Sequence, residues 1–156
     1  MEDDADGIDA TTPIIPGLAS FYNLGAPLAY AFTRVVMGLL FLPSGIDKMF
    51  LGGHARIAEG NIAALGLEPR YAWAWTVAGV ELFGAILMIV GLFTRPAAFA
   101  IAAQLAVITF GIQIKSGYFW SGRGFEVGLL MMLVFLAFCF GGGGRWSADR
   151  AIGREF

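Results

Sequence analysis

The chain has 156 residues, of which 58% are hydrophobic and 14% are charged, and its formal net charge is −2. Water-soluble domains average about 45–50% apolar and about 25% charged residues, so this composition excludes a soluble core as the simplest interpretation. No basic patch alternates with aromatic residues, which leaves nucleic-acid binding without support. The single cysteine, Cys139, excludes an internal disulfide and a thiol-rich metal site.

The first 26 residues carry five acidic side chains and no lysine or arginine. A secretory signal peptide would need a basic start followed by a short apolar core, and neither is present. We predict a solvated acidic tail over residues 1–26, ordered at most as a short surface helix around residues 18–24.

Four apolar blocks follow this tail, each close to the ~20 residues that a helix needs to cross a bilayer. They predict an all-α fold, an antiparallel four-helix transmembrane bundle over residues 27–145. The spans are expected at residues 27–50, 72–93, 96–115 and 124–141, and a short tail at residues 146–156. Tryptophan and tyrosine residues fall at both ends of the spans, as in the interfacial belts of membrane proteins.

One face of the first span carries both charges and glycines. Five residues recur along it at helical spacing: Arg34, Gly38, Phe41, Gly45 and Lys48. Because glycines let a neighbouring helix approach closely, this face is expected to contact protein rather than lipid. Pro27 is expected in the first turn of the span, and Pro43 is expected to kink it.

The second span has one full charge near its middle, Glu81. A charge at that depth is costly in lipid, so Glu81 should face protein or a water-filled cavity. Gly84 and Gly91 in the same span are expected to support helix packing. In the third span, the lone amide Gln104 is expected to form a hydrogen bond across helices.

The polar side chains within the spans form the candidate ligand or intramembrane site: Arg34, Lys48, Glu81, Gln104 and Glu126. From a rise of ~1.5 Å per residue, Lys48 and Glu126 should lie near one interface and pair, whereas Arg34 and Glu81 should differ in level by roughly 10 Å. Three interpretations remain open. The charges fix helix register only, or they line a polar pocket for a ligand or a proton, or some of them extend to the lipid headgroups.

No catalytic residue can be assigned from the sequence, because metal-binding and nucleophile motifs are absent. The four glycines at positions 141–144 follow a helix and lack the Lys-Ser/Thr of a phosphate loop, so they predict a helix end.

In their order and spacing these residues resemble the DoxX family of small four-span membrane proteins. The likeness extends over nearly all of residues 28–149 and is carried by RVVMGLLFLPSGIDK from Arg34, VELFGAILMIVGLFTR from Val80, Glu126, and GGRWSAD from Gly143. It implies an integral inner-membrane protein of bacterial type. Members of this family have been linked to quinone-dependent redox complexes and to oxidative-stress assemblies.

The function that the resemblance implies is that of a membrane accessory subunit in a quinone-linked redox system, with a polar intramembrane site and a quinone as its cofactor. Its partners would be the lipid bilayer, other membrane or peripheral redox subunits and, in a homo-oligomer, further copies of the chain. Two alternatives are a small transporter or scaffold without a redox role, and a quinone-dependent oxidoreductase in its own right. Lysine and arginine are nearly balanced between the two ends of the spans, and we expect cytoplasmic termini.

Overall fold

The first long helix begins earlier than the sequence pattern predicts. The computed structural model describes residues 15–154, apart from the side chains of Pro16, Ala19, Leu24 and Pro27. Helix α1 spans Ala19–Phe50, after a 3₁₀ turn at Pro16–Leu18. The surface helix expected around residues 18–24 is therefore continuous with the first span, which starts eight residues before Pro27. The acidic part of the predicted tail lies outside the described residues.

Five further helices follow. They are α2 (Gly53–Ile57, continued by a π-helical turn at Ala58–Ile62), α3 (Arg70–Val90), α4 (Thr94–Gly111), α5 (Glu126–Gly141) and α6 (Ala148–Ile152). Two 3₁₀ turns, Gln113–Ser116 and Trp120–Gly122, connect α4 to α5. Residues 15–154 contain no strand.

Three of these helices are long and apolar enough to cross a membrane: α1, α3 and α4. Helix α5 is equally apolar and shorter, at about 24 Å against about 32 Å for α3. Large apolar side chains are exposed around the perimeter, among them Leu39, Leu40, Phe83, Ile86, Phe99, Val107, Leu130 and Leu133. An outward apolar surface of this kind suits lipid. The predicted fold class, an all-helical membrane bundle, is confirmed.

Helices α1 and α3 pack antiparallel through glycines. A Cβ atom at Gly45 would lie 2.6 Å from the backbone nitrogen of Leu82, and one at Gly38 would lie 2.8 Å from the carbonyl oxygen of Ala85. Backbones can approach so closely only where the side chain is a hydrogen atom. The two glycines therefore set the distance and the register between α1 and α3.

The bundle closes through α4 and α5. Helix α4 packs against both α3 and α5. The ring of Phe41 in α1 meets that of Phe135 in α5 edge-to-face, with centroids 5.0 Å apart, and Tyr30 meets Phe138 in the same way at 5.3 Å. The core between the four helices is apolar: Met37, Phe41, Ala85, Met88, Ala98, Ile101, Ala102, Leu105, Met132, Phe135 and Phe138.

Helix α1 ends beside the middle of α3. Gly45 lies against Leu82, and α1 continues for only about 8 Å beyond it to Phe50, whereas α3 extends about 18 Å from Leu82 back to Arg70. The π-helical turn fills the remaining space, since Ala58 and Ile62 pack in a small separate core with Ala74.

At the opposite end of the bundle, the segment after α5 folds back onto the helices. Arg34 is 2% exposed, and its guanidinium donates to the carbonyls of Met88 at 2.6 Å and Trp146 at 2.6 Å. Gly91 adopts φ +74°, and a Cβ atom there would collide with the Arg34 guanidinium. The residue after α3 must therefore be glycine for both its conformation and its size.

Asp149 attaches the segment after α5 to the backbone between α3 and α4. It is 2% exposed, and its two carboxylate oxygens accept hydrogen bonds from the backbone nitrogens of Phe93 at 2.8 Å and Thr94 at 3.0 Å. Its own backbone nitrogen donates to the Gly91 carbonyl at 3.0 Å. We call Arg34, Gly91 and Asp149 the C-terminal clasp. The described part of the predicted tail at residues 146–156, which ends at residue 154, is thus packed against the bundle through the clasp.

We expect Gly45→Ala to destabilise the bundle by about 1–3 kcal/mol, because the added methyl group meets backbone atoms that only a helix shift can move. Thermal unfolding in a mild detergent measures this as a lower Tm. Gly79→Ala is the matched control, since its Cβ atom would meet nothing closer than 3.9 Å. Equal Tm values for the two variants would contradict the close approach of α1 and α3.

We expect Asp149→Asn to cost about 1–3 kcal/mol, because an amide has a single acceptor oxygen and leaves one of two backbone nitrogens without a partner. The control is Asp47→Asn, whose ion pair with Arg56 is exposed and contributes at most about 1 kcal/mol. Limited proteolysis should release the C-terminal segment faster from the Asp149 variant only. Similar cleavage of both variants would show that the clasp does not hold the segment.

Candidate functional site

Glu81 is the centre of the buried polar groups. It lies about 16 Å from Arg70 and about 13 Å from Val90 along α3, so it is near mid-depth, and it is 4% exposed. Its carboxylate oxygens have different partners. Oε2 forms an ion pair with the ammonium of Lys48, and Oε1 accepts a hydrogen bond of 2.6 Å from Nε2 of Gln104. Side chains from α1, α3 and α4 thus meet at one carboxylate.

Lys48 connects this carboxylate to a hydroxyl group on its own helix. Its Nζ donates to Oγ of Ser44 at 2.6 Å, and its side chain is 16% exposed. An ammonium group has three N–H donors, of which Glu81 and Ser44 take two. We call Ser44, Lys48, Glu81 and Gln104 the Glu81 cluster.

Gln104 brings an unpartnered acceptor into the cluster. Its Oε1 is buried and has no hydrogen-bond partner within residues 15–154. Leaving a buried acceptor unsatisfied costs about 1–3 kcal/mol, and native proteins satisfy most such atoms, often with water. The Glu81 cluster therefore has one acceptor, on Gln104, and one donor, on Lys48, that can bind a further polar group.

The local sequence explains why these groups meet. Ser44 and Lys48 are one turn apart and share a face of α1. Gly45 brings that face against the backbone beside Glu81. Gly84 leaves room for a side chain of α4, because a Cβ atom there would lie 2.9 Å from Cδ1 of Ile101, and this contact brings Gln104 opposite Glu81.

The expected pairing of Lys48 with Glu126 is wrong. Lys48 pairs with Glu81, and the Glu126 carboxylate instead accepts a hydrogen bond of 3.1 Å from the backbone nitrogen of Trp120. The expectation placed Lys48 at the membrane interface, because it lies near the end of its helix. Since α1 ends beside the middle of α3, Lys48 lies at the same depth in the membrane as Glu81.

Arg34 also lies outside the Glu81 cluster. Besides Met88 and Trp146, it donates to the Ile89 carbonyl at 3.3 Å, so its hydrogen bonds go to backbone carbonyls at the end of α3 and after α5. Its Nε has no partner within the described residues. Gly91, predicted as a packing glycine, contacts this guanidinium rather than a helix face.

Sequence reasoning missed the two residues that extend the cluster and the clasp. Ser44 could have been found from its spacing of four from Lys48. Asp149 was visible only as part of GGRWSAD, and its burial depends on the return of the chain after α5. Within residues 15–154, no three histidine, cysteine, aspartate or glutamate side chains are grouped to hold a metal ion.

Two proteins of similar sequence cover most of the chain. A protein of Haemophilus influenzae described as uncharacterized is 37% identical over 127 residues, covering 79% of this chain and 90% of its own. A protein of Mycobacterium tuberculosis described as an uncharacterized membrane protein is 28% identical over 152 residues, covering 90% and 91%. No solved structure is significantly similar.

The DoxX family model matches residues 29–113. The matched region includes α3, α4 and most of α1, so it contains Lys48, Glu81 and Gln104 together with the glycines that bring their helices into contact. Because this match covers more than half of the chain, the protein belongs to the DoxX family of membrane proteins.

Proposed function

We propose that this protein is an integral membrane accessory subunit of a quinone-linked redox system, and that the Glu81 cluster binds the quinone headgroup. The observation that carries the proposal is the buried, unpartnered Oε1 of Gln104 beside the Lys48–Glu81 ion pair. These groups lie in a bundle whose core is mostly apolar, with Thr109 as a further buried polar residue on α4. A ligand with a polar headgroup and an apolar tail suits such surroundings.

The donors and acceptors of the Glu81 cluster fit a quinone. A quinone carbonyl oxygen can accept the third N–H of Lys48, and a hydroxyl group of the reduced quinol can donate to Oε1 of Gln104. The bound quinone would supply the two-electron chemistry, and the protein would supply binding and orientation. The oxidised quinone can bind only the Lys48 donor, whereas a quinol hydroxyl, which both donates and accepts, can also satisfy the unpartnered Oε1 of Gln104.

An accessory role is favoured over independent catalysis by the residues that the chain offers. It has one cysteine and one histidine, and its described acidic residues form no metal-binding group. We therefore place the electron donor or acceptor on a partner subunit. We further propose a bacterial inner-membrane location with both termini in the cytoplasm.

The proposal is tested by extracting bound molecules from the protein purified in mild detergent. We expect close to one quinone per chain in the wild type. Glu81→Gln and Gln104→Leu should each raise the Kd for added quinone about tenfold, the effect of losing ~1.4 kcal/mol of binding free energy, and should retain less quinone through purification. Glu126→Gln is the matched control and should retain the wild-type occupancy, because Glu126 lies outside the Glu81 cluster.

Glu81→Gln also leaves Lys48 without its counter-ion and is expected to unfold more easily. Gln104→Leu keeps the ion pair and separates binding from folding. Extraction of phospholipid alone from the wild type would contradict the proposal and favour a scaffold or transporter. Reduction of a quinone by the purified chain with a soluble electron donor would instead favour an oxidoreductase.

A further inference from the structure

A polar surface adjoins the Glu81 cluster where α1 ends. Asp47 and Arg56 form an ion pair there, with side chains 36% and 68% exposed. Gly53, at the start of α2, packs directly on Asp47 and Lys48. Inward from this surface lie Lys48, the chain neighbour of Asp47, and then Glu81 and Gln104, which are linked to one another by the ion pair and a hydrogen bond.

The opposite side of the Glu81 cluster is closed. Beyond Gly45 the backbones of α1 and α3 are in contact, and the space between the helices is filled by the buried side chains of Met37, Phe41 and Met88. Further on, the C-terminal clasp covers the ends of α3 and α4. Between the cluster and the clasp, the core residues are apolar.

We infer that the Glu81 cluster is the inner end of a polar well, which admits water only from the side of the membrane that contains the connection between α1 and α3. The inference concerns the proposed ligand site, but it depends on the position of the cluster and not on the ligand being a quinone. Because α1 ends beside the middle of α3, Lys48 lies only about 3 Å along the helix axis from Phe50, and the route from the aqueous side passes His54, whose Nδ1 is 3.0 Å from the Lys48 carbonyl.

One-sided access has a functional consequence. A ligand held at the Glu81 cluster would exchange protons and water with a single aqueous phase. The well would therefore fix the side from which a bound headgroup is protonated, while its apolar part remains among the helices. A charged group inside a membrane protein commonly faces such a water-filled cavity.

The test is thiol labelling with a membrane-impermeant reagent in sealed vesicles of both orientations. The background variant is Cys139→Ser, because Cys139 is the only cysteine. Arg56→Cys reports the side of the α1–α3 connection, and Arg150→Cys reports the side of the clasp; both residues are exposed. We expect Ser44→Cys to be labelled only in vesicles in which Arg56→Cys is labelled, and Met37→Cys to be labelled in neither orientation.

Labelling of Ser44→Cys together with Arg150→Cys would overturn the inference, because the site would then open through the clasp. Labelling in both orientations would overturn it as well, and would indicate a path across the membrane. Absence of labelling at Ser44→Cys, while Arg56→Cys reacts, would show that the cluster is sealed. If Ser44→Cys elutes as an aggregate in gel filtration, Gln104→Cys replaces it with the same expected result. The readout does not depend on bound quinone, so failure here leaves the proposed function standing.

Discussion

The ion pair between Lys48 and Glu81 is the interaction on which the rest of the structure depends. Moving a charged group out of water costs several kcal/mol, and the attraction within a pair offsets this only when further hydrogen bonds satisfy both partners. Ser44 and Gln104 supply those bonds. The contact is possible because Gly45 lets α1 touch the backbone of α3, so the residue that sets the helix packing also positions the site.

The sequence predicts the helices and the buried face of α1 well, because hydrophobic length and helical periodicity are local properties. It also predicts that Glu81 faces protein and that Gln104 forms a hydrogen bond across helices, because exposing either polar side chain to lipid would cost free energy. It fails for the partner of Lys48. A depth calculated from helix ends assumes that every helix reaches the interface, and the early end of α1 depends on tertiary packing by α2 and the π-helical turn.

The buried charges form two separate groups, the C-terminal clasp and the Glu81 cluster, which differ in their hydrogen-bond partners. Arg34 donates to three backbone carbonyls, and together with Asp149 it ties the chain after α5 to the ends of two helices. Such contacts fix the position of the C-terminal segment, and the atoms there without a partner among the described residues are Nε of Arg34 and Oγ1 of Thr94. The Glu81 cluster keeps a buried acceptor and a spare donor. Of the interpretations left open by the sequence, helix register fits Arg34, and a polar pocket stays our proposal for Lys48, Glu81 and Gln104.

The depth of the Glu81 cluster and its proposed access bear on the choice between the functions proposed above. A transporter must expose its site to each side of the membrane in turn, which requires helices that can separate on both sides of the site. Here the backbones of α1 and α3 touch on one side of the cluster, and the clasp closes that end. A carrier that is closed on one side and open on the other is one state of such a cycle, so a carrier requires the contact of Gly45 with α3 to open in turn. The binding subunit proposed above requires no such opening, since its headgroup would exchange protons with one aqueous phase only.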